Sequence, residues 1–216
     1  VAGGWTPAVH LFTQSGGKLK FDENNKVFLP NKYPSDQLSV GSCNGDFNLN
    51  EIINNLSTNL KEFLKIDKTD FDNLSIECEG ENSKRNIWLL PSDKPIGKTK
   101  PFVDYQNDAT AKDIKLALRE GFRSIEHVKR YTTTGMGTDQ GKLGNMHALG
   151  IIADTAGVKM GELGTTTFRP PYTPLTFGTI VGRNVGEYFD TFRRTPMNDW
   201  HIENKAEFEN VGQWKR

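Results

Sequence analysis

RYTTTGMGTDQGK, Arg130 to Lys142, is the stretch on which the reading of this chain turns. A run of threonines is followed by glycines at 135, 137 and 141, with a cation at each end. Helical patterns flank it on both sides. Such a loop offers backbone N–H groups and hydroxyls to an anion at a helix start, with Arg130 and Lys142 supplying charge. The bland alternative is a solvated inter-helix turn whose glycines only permit the bend.

Upstream of the loop, Thr110-Ala-Lys-Asp113 has the form of a capping box with Asp in place of Glu. It precedes Ile114, Ala117, Leu118 and Phe122 at helical spacing, and Gly121 ends that helix. Ser124 is placed to cap a second helix carrying Ile125 and Val128. Downstream, Met146, Leu149 and Ile152 form the stripe of a third helix over 142–155, stopped by Gly157. Pro170, Pro171 and Pro174 then enforce an extended segment. A short strand or helix is expected at 184–192.

The first ninety-odd residues are different in character. Val9 to Lys20 suggests a hairpin, or a short strand and loop. Asn48 and Glu51 fit a capping box opening a helix over 48–65, with Leu49, Ile52, Ile53, Leu56, Leu60, Phe63 and Leu64 on one face. A short strand is expected at 86–90. Pro91 to Pro101, with its prolines and lysines, has the composition of a linker.

The 216 residues carry 27 basic and 27 acidic side chains, so net charge gives no hint of nucleic acid or membrane. No apolar run approaches the roughly 18 residues of a spanning helix. Cys43 and Cys78 have no metal-site spacing, and a reducing cytoplasm is their simplest home. His10, His127, His147 and His201 show no triad or metal spacing. Opening on Val1 and closing on Trp214-Lys215-Arg216, the chain has the look of a piece of a longer polypeptide.

Four blocks carry a resemblance. They are Gly3–Asp22 (GGWTPAVHLFTQSGGKLKFD), Phe102–Asn145 (FVDYQNDATAKDIKLALREGFRSIEHVKRYTTTGMGTDQGKLGN), Thr165–Arg183 (TTTFRPPYTPLTFGTIVGR) and Arg194–Arg216 (RTPMNDWHIENKAEFENVGQWKR). In this order they resemble the α subunits of heterotetrameric, folate-linked sarcosine oxidases. The resemblance implies an α+β or mixed α/β fold in four parts. Residues 1–95 would close an FAD/NAD-type nucleotide-binding domain, and 96–160 would form a three-helix module similar to bacterioferritin-associated ferredoxin. Residues 161–193 would be a Pro-rich connection, and 194–216 the start of an aminomethyltransferase-like folate domain.

The same resemblance implies a parent enzyme that oxidatively demethylates sarcosine to glycine. It forms H₂O₂ and passes the one-carbon unit to tetrahydrofolate, with β, γ and δ subunits as partners. Cofactors so implied are FMN at the interface with β, NAD in the parent α subunit, and tetrahydrofolate in the C-terminal domain. Arg130, Thr132, Thr133, Gly137, Gln140, Gly141 and Lys142 would face the FMN phosphate, and Arg169 a cofactor or a partner. Gly3, Gly4 and Trp5 would line the dinucleotide site through backbone contacts. Gly41-Ser42 stands where related flavin reductases carry a Gly-Asp pair, which puts FAD binding by that route in doubt.

Ferredoxin-type cysteines of the C-x-C and C-x4-C pattern are replaced by Asp104, Gln106, Asp139 and Gly144, so no iron–sulfur cluster is expected. No catalytic residue and no metal site is assigned to the chain, and alone it is expected to be inactive. Two other readings stay open: an oxidase of dimethylglycine or another N-methyl amine, and a non-catalytic module that docks a partner subunit.

Overall fold

The computed structural model describes residues 6–34, 36–72, 74–76, 87–189 and 191–216. Two compact units emerge, one ending at Tyr172 and the other running Thr173–Arg216. The fold is mixed α/β, with two-stranded antiparallel ladders among the described residues.

The first unit begins with a short helix, α1 (His10–Gln14), followed by strands β1 (Lys18–Asp22) and β2 (Val27–Lys32). The hairpin thus falls later than the Val9–Lys20 segment expected to form it. Phe21 lies opposite Phe28 in the ladder, and Val27, Phe28 and Pro30 are buried on β2. A 3-10 turn at Gly41–Asn44 leads to α2 (Leu49–Leu64). The Asn48 side chain accepts from the Asn50 and Glu51 N–H groups, so this cap works from one side only.

The expected strand at 86–90 is absent from its described part, 87–90, which is irregular. Trp88 and Leu89 pack against the core instead. Nor is the Pro91–Pro101 stretch a free linker. It holds a 3-10 turn, Ile96–Lys98, and Ile96 packs against the core.

Strands β3 (Phe102–Asp104) and β4 (Ala109–Thr110) pair around a tight turn, and β4 feeds α3 (Ala111–Arg119). The Thr110–Asp113 capping box forms in both directions. Next come α4 (Ile125–Thr132), α5 (Asn145–Ala156) and a short α6 (Met160–Leu163). Ser124 stands at the N-cap of α4 without a side-chain bond, and α5 begins three residues later than the expected 142.

Ile114, Val128, Leu149 and Ile152 are the large fully buried side chains. They share one apolar cluster with Phe28, Val103 and Met160, so packing continues from the hairpin into the helices. Gly150 sits in the middle of α5 because a Cβ there would overlap the Trp88 ring.

The second unit contains α7 (Phe177–Val181), a kinked 3-10 stretch at Arg183–Phe189, α8 (Asn198–Glu203) and a small β5–β6 hairpin (Asn210–Val211, Trp214–Lys215). Arg193 is tied to the hairpin through its backbone N–H to Gln213. Asp199, Trp200 and His201 lie on α8, where the Trp200 and His201 rings meet edge to face.

Candidate functional site: a threonine and glycine loop clamped to a proline-rich strap

Helix α4 ends on Thr132, whose hydroxyl donates back to the Val128 carbonyl and also bonds the Thr134 hydroxyl. Both threonines are buried, which turns their hydroxyls inward. Thr133 takes a left-handed conformation and donates to the Thr132 carbonyl. Arg130 pairs with Glu126 one turn back, at 3.1 Å. From this point the chain reverses through Gly137 and Gly141, both at positive φ, before α5 starts.

The far side of the loop grips residues 166–172. Gln140 makes a paired amide contact with Arg169: its Oε1 accepts from the Arg169 N–H, and its Nε2 donates to the Arg169 carbonyl, both at 2.8 Å. The same Nε2 reaches the Pro171 carbonyl at 3.1 Å. Lys142 Nζ donates to the Tyr172 carbonyl at 2.8 Å and lies 4.3 Å from the centre of its ring. Asn145 donates to the Thr166 hydroxyl, and Glu126 accepts from the Thr167 N–H. A proline-rich segment has few N–H donors, so its carbonyls need outside partners. The loop supplies them.

The His10 imidazole stacks on the Tyr172 ring at 3.9 Å. Burial, and then the Lys142 charge, pull the His10 pKa below its ordinary value. Burial, and then Asp139, push the Tyr172 hydroxyl above its own. A small apolar cavity of about 60 Å³ opens beside this stack, between Val9, Phe28, Met146, Leu149 and Phe168.

Asp104, Gln106, Asp139 and Gly144, the positions matched to ferredoxin cysteines, line a single depression of about 310 Å³. Asp104 is buried and accepts from the backbone N–H groups of Gln106, Asn107 and Gly135. Gln106 bonds the Thr138 hydroxyl and the Asp139 N–H. The two loops are thus joined by side-chain hydrogen bonds. No group of three or more potential metal ligands occurs among the described residues.

Arg130, Gln140, Lys142 and Arg169 are therefore brought along one strap, Arg130 through its partner Glu126. Thr132 is turned away from it. Gly3, Gly4 and Trp5 lie outside the described residues. His10 and Glu126 were given no role by the sequence. For Glu126, the i,i+4 spacing to Arg130 was the available signal. For His10 there was none, since its partner is 162 positions away.

As a preformed phosphate cradle the fit is partial. Thr132 and Gln140 are committed to the protein, whereas Arg169 is exposed with no side-chain partner among the described residues. Lys142 keeps donors beyond the one given to Tyr172.

Residues 98–183 match the family described as the sarcosine oxidase A3 domain. Over its whole length the chain is 39% identical to sarcosine oxidase subunit alpha of Corynebacterium sp. (strain P-1), of which it covers 23%. It is 37% identical to the protein of the same name from Rhizobium meliloti (strain 1021), of which it covers 22%. The chain is thus similar along its whole length to sarcosine oxidase alpha subunits. It spans less than a quarter of the length of these relatives. Among solved structures, the crystal structure of L-proline dehydrogenase from P. horikoshii superposes with a TM-score of 0.59. That match covers 83% of this chain and 38% of the other at 22% identity, a likeness of fold.

Proposed function

We propose that the chain is a segment of an oxidoreductase alpha subunit whose parent assembly oxidatively demethylates sarcosine to glycine, forms H₂O₂ and transfers the one-carbon unit to tetrahydrofolate. The observation that carries this reading is the match along the entire chain to proteins named sarcosine oxidase subunit alpha. In this reading β, γ and δ subunits complete the assembly, NAD belongs to the parent α subunit and FMN lies at its interface with β. Tetrahydrofolate belongs to the C-terminal domain. The four-part division at residues 95, 160 and 193 is part of the same proposal, as is a cytoplasmic location. No helix among the described residues is long and apolar enough to cross a membrane.

Flavin would accept the hydride in this chemistry. The chain's own contribution is positional. Lys142, Arg169 and Arg130 are the cations that would face the FMN phosphate, and Gly137 and Gly141 would let the backbone approach it. The Gln140 clamp holds Arg169 in place from the backbone side. The segment itself supplies no acid, base or nucleophile, and alone it is inactive in this reading.

The test is co-expression of the full-length chain with its partner subunits, comparing wild type with Lys142→Ala/Arg169→Ala and with Arg130→Ala. Retained assembly with FMN lost at least tenfold more readily supports the interface. Unchanged flavin content and sarcosine-dependent peroxide would reduce the loop to a clamp for the strap. Dimethylglycine run beside sarcosine separates the two N-methyl substrates.

A further inference from the structure

The Pro91–Pro101 stretch folds back on α3 and leaves a groove of about 460 Å³. Its apolar part is formed by Leu89, Leu90 and Ile96, and its charge by Lys94, Lys100 and Lys115. Leu89 and Ile96 reach inward to the core, whereas Leu90 between them is 63% exposed. Among the described residues no carboxylate lines the groove. Ion pairs among the described residues join Lys26 to Glu23, Lys61 to Asp72, Arg119 to Glu120 and Arg130 to Glu126, and none reaches these lysines. The chain as a whole is neutral, so this is a local concentration of one sign.

We propose that this groove docks an acidic segment of a partner subunit, with an apolar side chain seated against Leu90 and carboxylates set on Lys94, Lys100 and Lys115. Three cations with no ion pair among the described residues, set around an apolar floor, complement a peptide carrying both features. A simple anion would leave the floor in water. Single-stranded nucleic acid needs aromatic stacking platforms, and among the described residues the lining contains no aromatic ring. The proposal goes beyond the oxidase reading and stands without it, requiring only that the chain works in an assembly.

Zero-length carbodiimide cross-linking of the purified assembly containing the full-length chain tests it, read by mass spectrometry. Lysine acetylation is compared in assembled and dissociated subunit. The expected result is an amide link from Lys94, Lys100 or Lys115 to one Asp- or Glu-rich stretch of another subunit, with all three lysines protected on assembly. The triple variant Lys94→Gln/Lys100→Gln/Lys115→Gln should weaken association about tenfold, and the corresponding Glu variant more, with wild-type binding falling as salt rises. Equal acetylation in both states overturns the proposal, as do links only to this chain's own carboxylates. Displacement of the partner by a single-stranded oligonucleotide overturns it in favour of nucleic acid. Sarcosine-dependent peroxide, measured on the same preparations, reports separately on the oxidase reading.

Discussion

Helices α2 and α5 were both expected from the sequence, and they end in opposite circumstances. Helix α2 is the longer, with a side-chain cap at Asn48, yet of its apolar residues only Ile53 is buried. Leu49, Phe63 and Leu64 remain 44–54% exposed. Helix α5 has no side-chain cap, but residues 148–153 are buried without a break. An apolar stripe and a good cap make a helix; burial depends on what the rest of the chain brings to it. For α5 that is α3 on one side and Trp88 over Gly150 on another.

The largest break in this comparison should come from Ile152→Ala, which empties a fully buried site in α5 and should cost about 2–5 kcal/mol. Phe63→Ala on α2 should stay within about 1 kcal/mol because the ring is already 44% exposed. Urea midpoints of the full-length chain, with hydrogen exchange resolved by segment, would separate the two. Equal losses would show that α2's apolar face is covered in the native protein.

Gly150→Ala should follow at about 1–3 kcal/mol, the range for overpacking a filled site. Trp88 has to move, so its fluorescence should shift in that variant and stay put in Gly121→Ala, where nothing lies near the added methyl.

Removing the caps is a smaller perturbation. Thr110→Ala should cost about 1 kcal/mol, and Asn48→Ala a similar amount. The Thr110 effect should also depend on pH. The Thr110 hydroxyl bond, followed by the Thr110 N–H, holds the Asp113 carboxyl below its usual range. A carboxyl depressed on folding stabilises above its unfolded pKa of about 3.9, and that stability is lost as pH falls through the folded value. Wild type and Thr110→Ala should therefore converge in strong acid.

The smallest effect concerns the strap. His10 is depressed on folding, so the unfolded chain binds the proton more tightly and the stack on Tyr172 is complete above about pH 6.5. As pH falls below that value, exchange protection of residues 166–172 should decrease. His10→Phe, which keeps the stack without the charge, should remove the dependence. An unchanged profile would mean that the hydrogen bonds of Gln140 and Lys142 hold the strap unaided.

Much of this was legible beforehand where the determinant is local. The Thr110–Asp113 box, the Gly157 stop, the α3–α5 succession and the glycine-bearing reversal all depend on residues a few positions apart. The similarity to sarcosine oxidase alpha subunits was legible because four ordered blocks carry it. Misplaced elements lay where local preference is weak: the hairpin shifted to residues 18–32, and 87–90 packed as irregular chain rather than a strand.

What the sequence by itself determined is the four longer helices α2 to α5, the caps at Asn48 and Thr110, and a loop rich in groups that bind backbone or anions. Only the tertiary structure decided how those groups are used. Gln140 and Lys142 meet Arg169 and Tyr172 about thirty positions away, and His10 closes the stack from the other end of the unit. Hydrogen-bond donors and ring faces are not addressed to a partner by their own chain neighbourhood. They take the partners that core packing brings within reach, here the donor-poor carbonyls of a proline-rich strap.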